Sequence, residues 1–159
     1  MPISSITSNY IDRKKDISIF QYPNALAIGE QTVAPKFGKI SRYCTGVQKL
    51  IQNYAVMLLT NIGSQPNYPT FGTNLMGKLN AGISPVDKLA ASQLFELASY
   101  ETVSALKSYQ HYRTDIPDDE LIVDATLTDI ALQGGFAAFE VTITTQAGDA
   151  VEFVVPLPK

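Results

Sequence analysis

One cysteine and one histidine in 159 residues remove whole classes of chemistry before any motif is sought. A lone Cys44 excludes an intramolecular disulfide framework and a multi-cysteine metal site. It reads as a small buried residue near the start of a helix. A cysteine nucleophile would need Cys44 and His111 to meet, with a third group orienting the ring, and nothing in their spacing brings them together. His111 instead falls near the end of a helical segment, where a cation is favoured.

Charge is also scarce, at 17% of residues against roughly 25% in ordinary domains. A surface so poor in charge suits a subunit whose faces are covered by neighbours. The densest basic run, Arg13-Lys14-Lys15, is flanked by Asp12 and Asp16 and reads as a solvated edge. No basic stripe for nucleic acid is present. No run of 18 apolar residues exists to cross a membrane, and the N-terminus carries neither a signal-peptide pattern nor an acylation motif. The expectation is an intracellular protein or one released without a signal. A phosphate-binding glycine loop, a His-Glu-x-x-His helix, a serine nucleophile elbow and the calcium-loop spacing are all missing. Asp115, Asp118, Asp119 and Glu120 are concentrated on one connection. Glycoside hydrolysis needs two carboxyls about 5 to 9.5 Å apart across a cleft, so this run reads as a solvated helix-to-strand link. The sequence therefore predicts no enzyme, no cofactor and no metal.

What is present suffices for one hydrophobic core, since chains of roughly 150 residues bury about two-thirds of their extended surface. The organising stretch is residues 47 to 75. Val47, Leu50, Ile51, Tyr54 and Leu58 recur at helical spacing, and Ala55, Met57 and Leu59 widen the stripe, which predicts a helix buried on much of its surface. Ser41 or Thr45 is the expected cap. Gly63 permits a reversal, Pro66 and Pro69 fix φ on either side of Asn67 and Tyr68, and Phe71 and Gly72 complete a stiff, aromatic-tipped loop. Asn74 to Asn80 predicts one or two helical turns. A second helix starts on Ser84, Pro85 and Asp87, buries Leu89, Ala90, Leu94, Leu97, Ala98, Val103 and Leu106, and runs towards Tyr112.

Beyond residue 120 the period changes to two. Leu121, Val123, Ala125 and Leu127 form one alternating set, followed by Phe139, Val141 and Ile143, then Val151, Phe153 and Val155. Turns are expected at Gly134-Gly135 and Gln146 to Asp149, giving an antiparallel meander. Pro156 and Pro158 are expected to stop its last strand. Residues 1 to 40 carry weak signals, an alternation around Ile17 to Gln21 and breaks at Pro23, Pro35 and Gly38. The predicted fold is α+β: two main helices packed on a three-stranded antiparallel meander, with an extended N-terminal arm and a Pro/Gly/aromatic loop. Residues 1–40 form the arm, with a short strand, and residues 41–159 a single domain.

The run Leu58-Leu59-Thr60, the glycine at Gly63, and Pro69-x-Phe71-Gly72-Thr73-x-Leu75 resemble the signature of the small lysozyme-like baseplate wedge family. That family belongs to contractile phage tails and is related to a component of the type VI secretion baseplate. The likeness extends over residues 40 to 157 in the order helix, loop, helix, sheet. It implies a structural subunit of a tail baseplate, linking other wedge proteins to the tail tube and sheath, with no nucleic acid or membrane as partner. Its place would be the virion, and the host cytoplasm during assembly. Residues 63 to 65 are Gly-Ser-Gln where many relatives have Gly-Glu-Arg. The Glu-Pro-Arg expected before the sheet is also absent, and Arg113 and Pro117 are too far apart to replace it. The candidate interface or loop-locking residues are Pro66, Tyr68, Pro69, Phe71, Gly72 and Arg113. Two other readings remain: a peptidoglycan-degrading tail lysozyme, which needs convergent carboxylates in a deep cleft, and an adaptor using the same fold to bind a regulatory partner.

Overall fold

Tyr54 is fully buried at the point where the layers of the molecule meet. In the computed structural model, which describes residues 13–18, 20–21, 34–35, 43–81, 88–133 and 136–158, it lies on helix α1 (Val47–Leu59). Its hydroxyl shares a 2.6 Å hydrogen bond with Ser99 of helix α3 (Lys88–His111). Its ring meets Phe153 edge-on at 5.8 Å. Burial raises the Tyr54 hydroxyl pKa well above its ordinary value, because the charged form would have to leave water.

The chain is mixed α+β. Among the described residues, four two-residue strands precede α1: β1 (Asp16–Ile17), β2 (Phe20–Gln21), β3 (Ala34–Pro35) and β4 (Tyr43–Cys44). They pair antiparallel as β1 with β4 and β2 with β3. The alternation around Ile17 to Gln21 thus belongs to two different pairings rather than one strand. A short helix α2 (Leu75–Asn80) comes after the loop. Strands β5 (Ile122–Gln133), β6 (Phe136–Thr145) and β7 (Ala150–Pro158) form the antiparallel sheet in the order β5-β6-β7. Most of the arm, the expected helix start at Ser84, Pro85 and Asp87, and the turn at Gly134-Gly135 lie outside the described residues.

The core joins α1, α3 and one face of the sheet. Phe95 stacks on Phe139 with centroids 4.5 Å apart and planes 9° from parallel, an arrangement worth about 1 kcal/mol beyond the area it buries. The helix α3 buries Ala91, Leu94, Phe95, Ala98, Ser99, Thr102, Val103 and Leu106. Leu89 and Leu97, expected on this face, are 68% and 50% exposed. The stripe is rotated because Phe95 occupies its centre, and the buried hydroxyls of Ser99 and Thr102 find partners in Tyr54 and the Ala98 carbonyl. The helix is continuous through Ser99 to Thr102.

Two further expectations are corrected in the sheet. Phe139, Val141, Ile143, Phe153 and Val155 face inward as their alternation predicts. In β5, however, the register shifts between Ile122 and Asp124 and again between Leu127 and Asp129. Each extra residue reverses the parity of the strand beyond it, so Ile122 and Ile130 are buried while Val123 is 42% exposed. At both shifts an aspartate accepts the next residue's N–H: Ala125 N to Asp124 at 2.9 Å, and Ile130 N to Asp129 at 2.7 Å. Pro156 and Pro158 do not end β7; they sit opposite Ala138 and Phe136. An edge strand tolerates them because its outward positions need no N–H for the ladder.

Candidate functional site

Two regions gather the residues singled out by sequence. The first is the loop from Thr60 to Thr73, closed on itself by main-chain bonds. Thr73 N donates to Thr60 O at 2.8 Å, Ile62 N to Thr73 O at 3.0 Å, and Gly63 N to Pro69 O at 3.1 Å. Inner turns run from Tyr68 N to Gln65 O and from Phe71 N to Tyr68 O. The Thr73 hydroxyl, buried, donates to Leu58 O at 2.7 Å and accepts Leu75 N at 3.2 Å. It ties the end of α1 to the start of α2.

Gly72 makes the closure possible. Its φ is 107°, and a Cβ there would fall inside 3.0 Å of the Thr60 carbonyl, a space only glycine leaves empty. Phe71 is half-buried and packs against the core. Residues 61 to 70 are all exposed, Tyr68 at 67% and Ile62 at 45%. Pro66, Tyr68, Pro69, Phe71 and Gly72 therefore share one element. Arg113 makes its contacts elsewhere: it hydrogen-bonds Asp115 at 3.0 and 3.1 Å and lies 5.4 Å from the Tyr109 ring centroid. The Arg113 guanidinium, aided by Lys14, holds the Asp115 carboxyl well below the usual carboxylate range.

The second region corrects two readings at once. Asp119 and Glu120 are not solvated; they are 2% and 5% exposed, on a single 3-10 turn (Asp118–Glu120). Arg13 is not a solvated edge either. It donates to both Asp119 oxygens at 2.7 and 2.8 Å, across 106 residues of chain. Lys49 donates to Glu120 Oε2 at 2.9 Å, and Gly46 N donates to Glu120 Oε1 at 2.9 Å. Gly46 is the N-cap residue of α1 and has no side chain with which to cap it. Glu120 takes the role expected of Ser41 or Thr45, placing a carboxylate against the unsatisfied N–H groups and positive dipole of the helix start. At Gly46, φ is 64° and a Cβ would come within 2.8 Å of both Arg13 and Asp119, so the ion pair occupies the space a side chain would need. Gln110 completes the corner, donating to Glu120 O at 2.8 Å and accepting Ile122 N at 3.0 Å.

Arg13, Gly46, Lys49 and Gln110 are not legible in the sequence as partners of the acidic run. The only signal there is compositional, a basic run and an acidic run of similar size. Beside the start of β5, a groove of about 350 Å³ is lined by Glu96, Tyr100, Lys107 and Asp124 among others. Cys44 is buried, its thiol 3.7 Å from Gln52 Oε1, and burial pushes its pKa up, the opposite of an activated nucleophile. His111 is exposed, its ring 5.3 Å from that of Tyr112. Comparison with protein-family models, with curated proteins and with solved structures finds no match to this chain.

Proposed function

We propose that this chain is a structural subunit of a bacteriophage tail baseplate, joining other wedge proteins to the tube or sheath end of the tail. The observation that carries this reading is the Thr60–Thr73 loop, ordered by its own hydrogen bonds yet exposed along its whole tip. Ordering a contact loop before docking removes an entropic cost of association, and an exposed tyrosine between two prolines offers large contact area. The motif resemblance lies on the same residues, Leu58 to Leu75. The helices and meander serve as a rigid mount, and the N-terminal arm and the sheet edge supply further joints by strand addition. Along β7 the stretch Ala150 to Val154 keeps its main-chain donors, whereas Pro156 and Pro158 lack them.

The test is immunodetection of the chain in purified tails, with Tyr68→Glu as the loop variant. The chain is expected to copurify with tail proteins, and the variant to fold but be depleted from particles. Its absence from tails would overturn the reading. Truncation of the arm is to stop at residue 12, because Arg13 belongs to the fold.

One observation favours a second reading, a peptidoglycan-degrading tail lysozyme: Glu96 and Asp124 line the same groove. Clearing of purified peptidoglycan by the chain, lost in Glu96→Gln and Asp124→Asn, would establish it. The structural reading expects no clearing.

A further inference from the structure

Residues 13–18 cross the start of α1 and hold to it by polar bonds. Arg13 reaches both oxygens of Asp119, and Lys14 pairs with Asp115. From the helix side, Lys49 Nζ donates to Lys14 O at 3.2 Å and Gln52 Nε2 to Ile17 O at 3.0 Å. Strand β1 adds antiparallel pairing, Asp16 with Cys44 and Ile17 with Tyr43. Yet none of residues 13–18 is buried. Ile17, the one apolar side chain among them, is 56% exposed and lies outside the hydrophobic core. The segment therefore adds little apolar burial, the dominant favourable term in folding, whereas α1 beneath it buries eight residues.

We propose that residues 13–18 form a strap that opens as a unit while α1, α3 and the sheet stay folded, baring the start of α1 and the outer side of β4. Segments with few buried apolar contacts open at lower free energy than the core they lie on. Arg13 is the latch: its guanidinium and Asp119 fill the space over Gly46 that a side chain would need. The Lys14–Asp115 pair is exposed on both sides and holds weakly. Cys44, the single cysteine, lies under the strap and reports its opening. Asp16 stands opposite it. Its thiol is 3.7 Å from Gln52 Oε1, and the nitrogen of that same amide holds Ile17 O. Lifting the strap removes Asp16 and frees the Gln52 amide, so the thiol meets solvent. The inference stands independently of the baseplate reading.

The rate at which N-ethylmaleimide modifies Cys44 in the full-length chain, followed by mass across a urea series, tests the strap. Opening of so small a unit exposes little surface and responds weakly to urea. The parent rate should therefore be nearly flat at low urea, below the rate in the unfolded chain, and steepen only as global unfolding begins. Arg13→Ala should raise the flat rate at least about tenfold. Tyr54→Phe, which weakens the core and leaves the strap contacts in place, should leave the flat rate unchanged. A labelling rate with the steep urea dependence of global unfolding throughout would overturn the strap. So would equal acceleration by the two variants, or a parent thiol that reacts as fast as in the unfolded chain. Should Arg13→Ala fail to fold, the parent's flat phase and its indifference to Tyr54→Phe decide alone.

Discussion

The corner at Asp119 and Glu120 and the loop from Thr60 to Thr73 invert the usual arrangement of inside and outside. In the corner, two carboxylates are buried and met by Arg13, Lys49 and a helix start. In the loop, Tyr68 and Ile62 face solvent, and main-chain bonds close the segment that carries them. The corner joins chain segments 106 residues apart and turns its carboxylates inward. The loop joins residues within one short span and presents its side chains outward. Long-range charge fixes the frame, and local hydrogen bonding fixes the surface that the frame carries.

The largest test of that division is removal of Arg13. Arg13→Ala would leave Asp119 buried without its bidentate partner, and breaking a buried pair in this way costs about 3 kcal/mol or more. Replacing both residues by leucine should cost much less, since the penalty arises from the orphaned charge rather than from loss of net attraction. Urea unfolding of the two singles and the double checks this. Equal losses in all three would mean that the pair is not the element joining arm to core.

Gly72→Ala comes next. A positive φ costs a side chain roughly 1 to 2 kcal/mol, and here the new Cβ would also collide with the Thr60 carbonyl, so the loop closure should break at about 3 kcal/mol. Gly63→Ala is the control within the same loop. Its φ is 80° but no atom lies within 4 Å of the Cβ position, which leaves only the conformational term of about 1 kcal/mol. If both substitutions cost the same, the Thr60 to Gly72 approach is not what locks the loop.

Tyr54→Phe addresses the core that both regions share. At neutral pH it should cost about 1 kcal/mol, the value of one buried hydrogen bond. The pH dependence is the sharper readout. Burial raises the Tyr54 pKa in the folded chain, so the stability it contributes is fully present below the unfolded tyrosine value of about 10. That stability is lost as pH rises from there towards the folded value, because the folded state then binds more protons than the unfolded one. Parent stability should fall between pH 10 and 11 by roughly 1 kcal/mol more than that of the variant. Parallel pH profiles would contradict the assignment.

Sequence periodicity reached the elements whose burial obeys a local rule. The α1 stripe from Val47 to Leu58 and the β6 and β7 alternations are examples, as each inward residue is set by its own neighbours in the chain. It failed where a distant partner decides. Leu97 reads as core by spacing, but Phe95 claims the space against Phe139. Asp119 and Glu120 read as solvated until Arg13 and Lys49 are brought to them. Val123 reads as inward, but a bulge beside Asp124 turns it out. For the loop, Pro66, Pro69 and Gly72 mark a chain reversal, while the bonds that close it, Thr73 to Thr60 and to Leu58, depend on hydroxyl and carbonyl positions that spacing does not specify.

The smallest expected effect falls on Tyr68. Its side chain is 67% exposed, and its main-chain bonds to Gln65 and Phe71 survive truncation. Tyr68→Ala should therefore change stability by less than about 0.5 kcal/mol, as surface substitutions do. Phe71→Ala, two positions beyond the adjacent proline, removes a half-buried ring packed on the core and should cost about 1 to 2 kcal/mol. The comparison is informative because the two variants change the same loop in opposite places. If the loop is a joint, Tyr68→Ala should weaken particle incorporation at parental stability, whereas Phe71→Ala should weaken it only in step with unfolding. Incorporation that tracks stability for both would make the loop a buttress of its own fold, with no contact role for Tyr68.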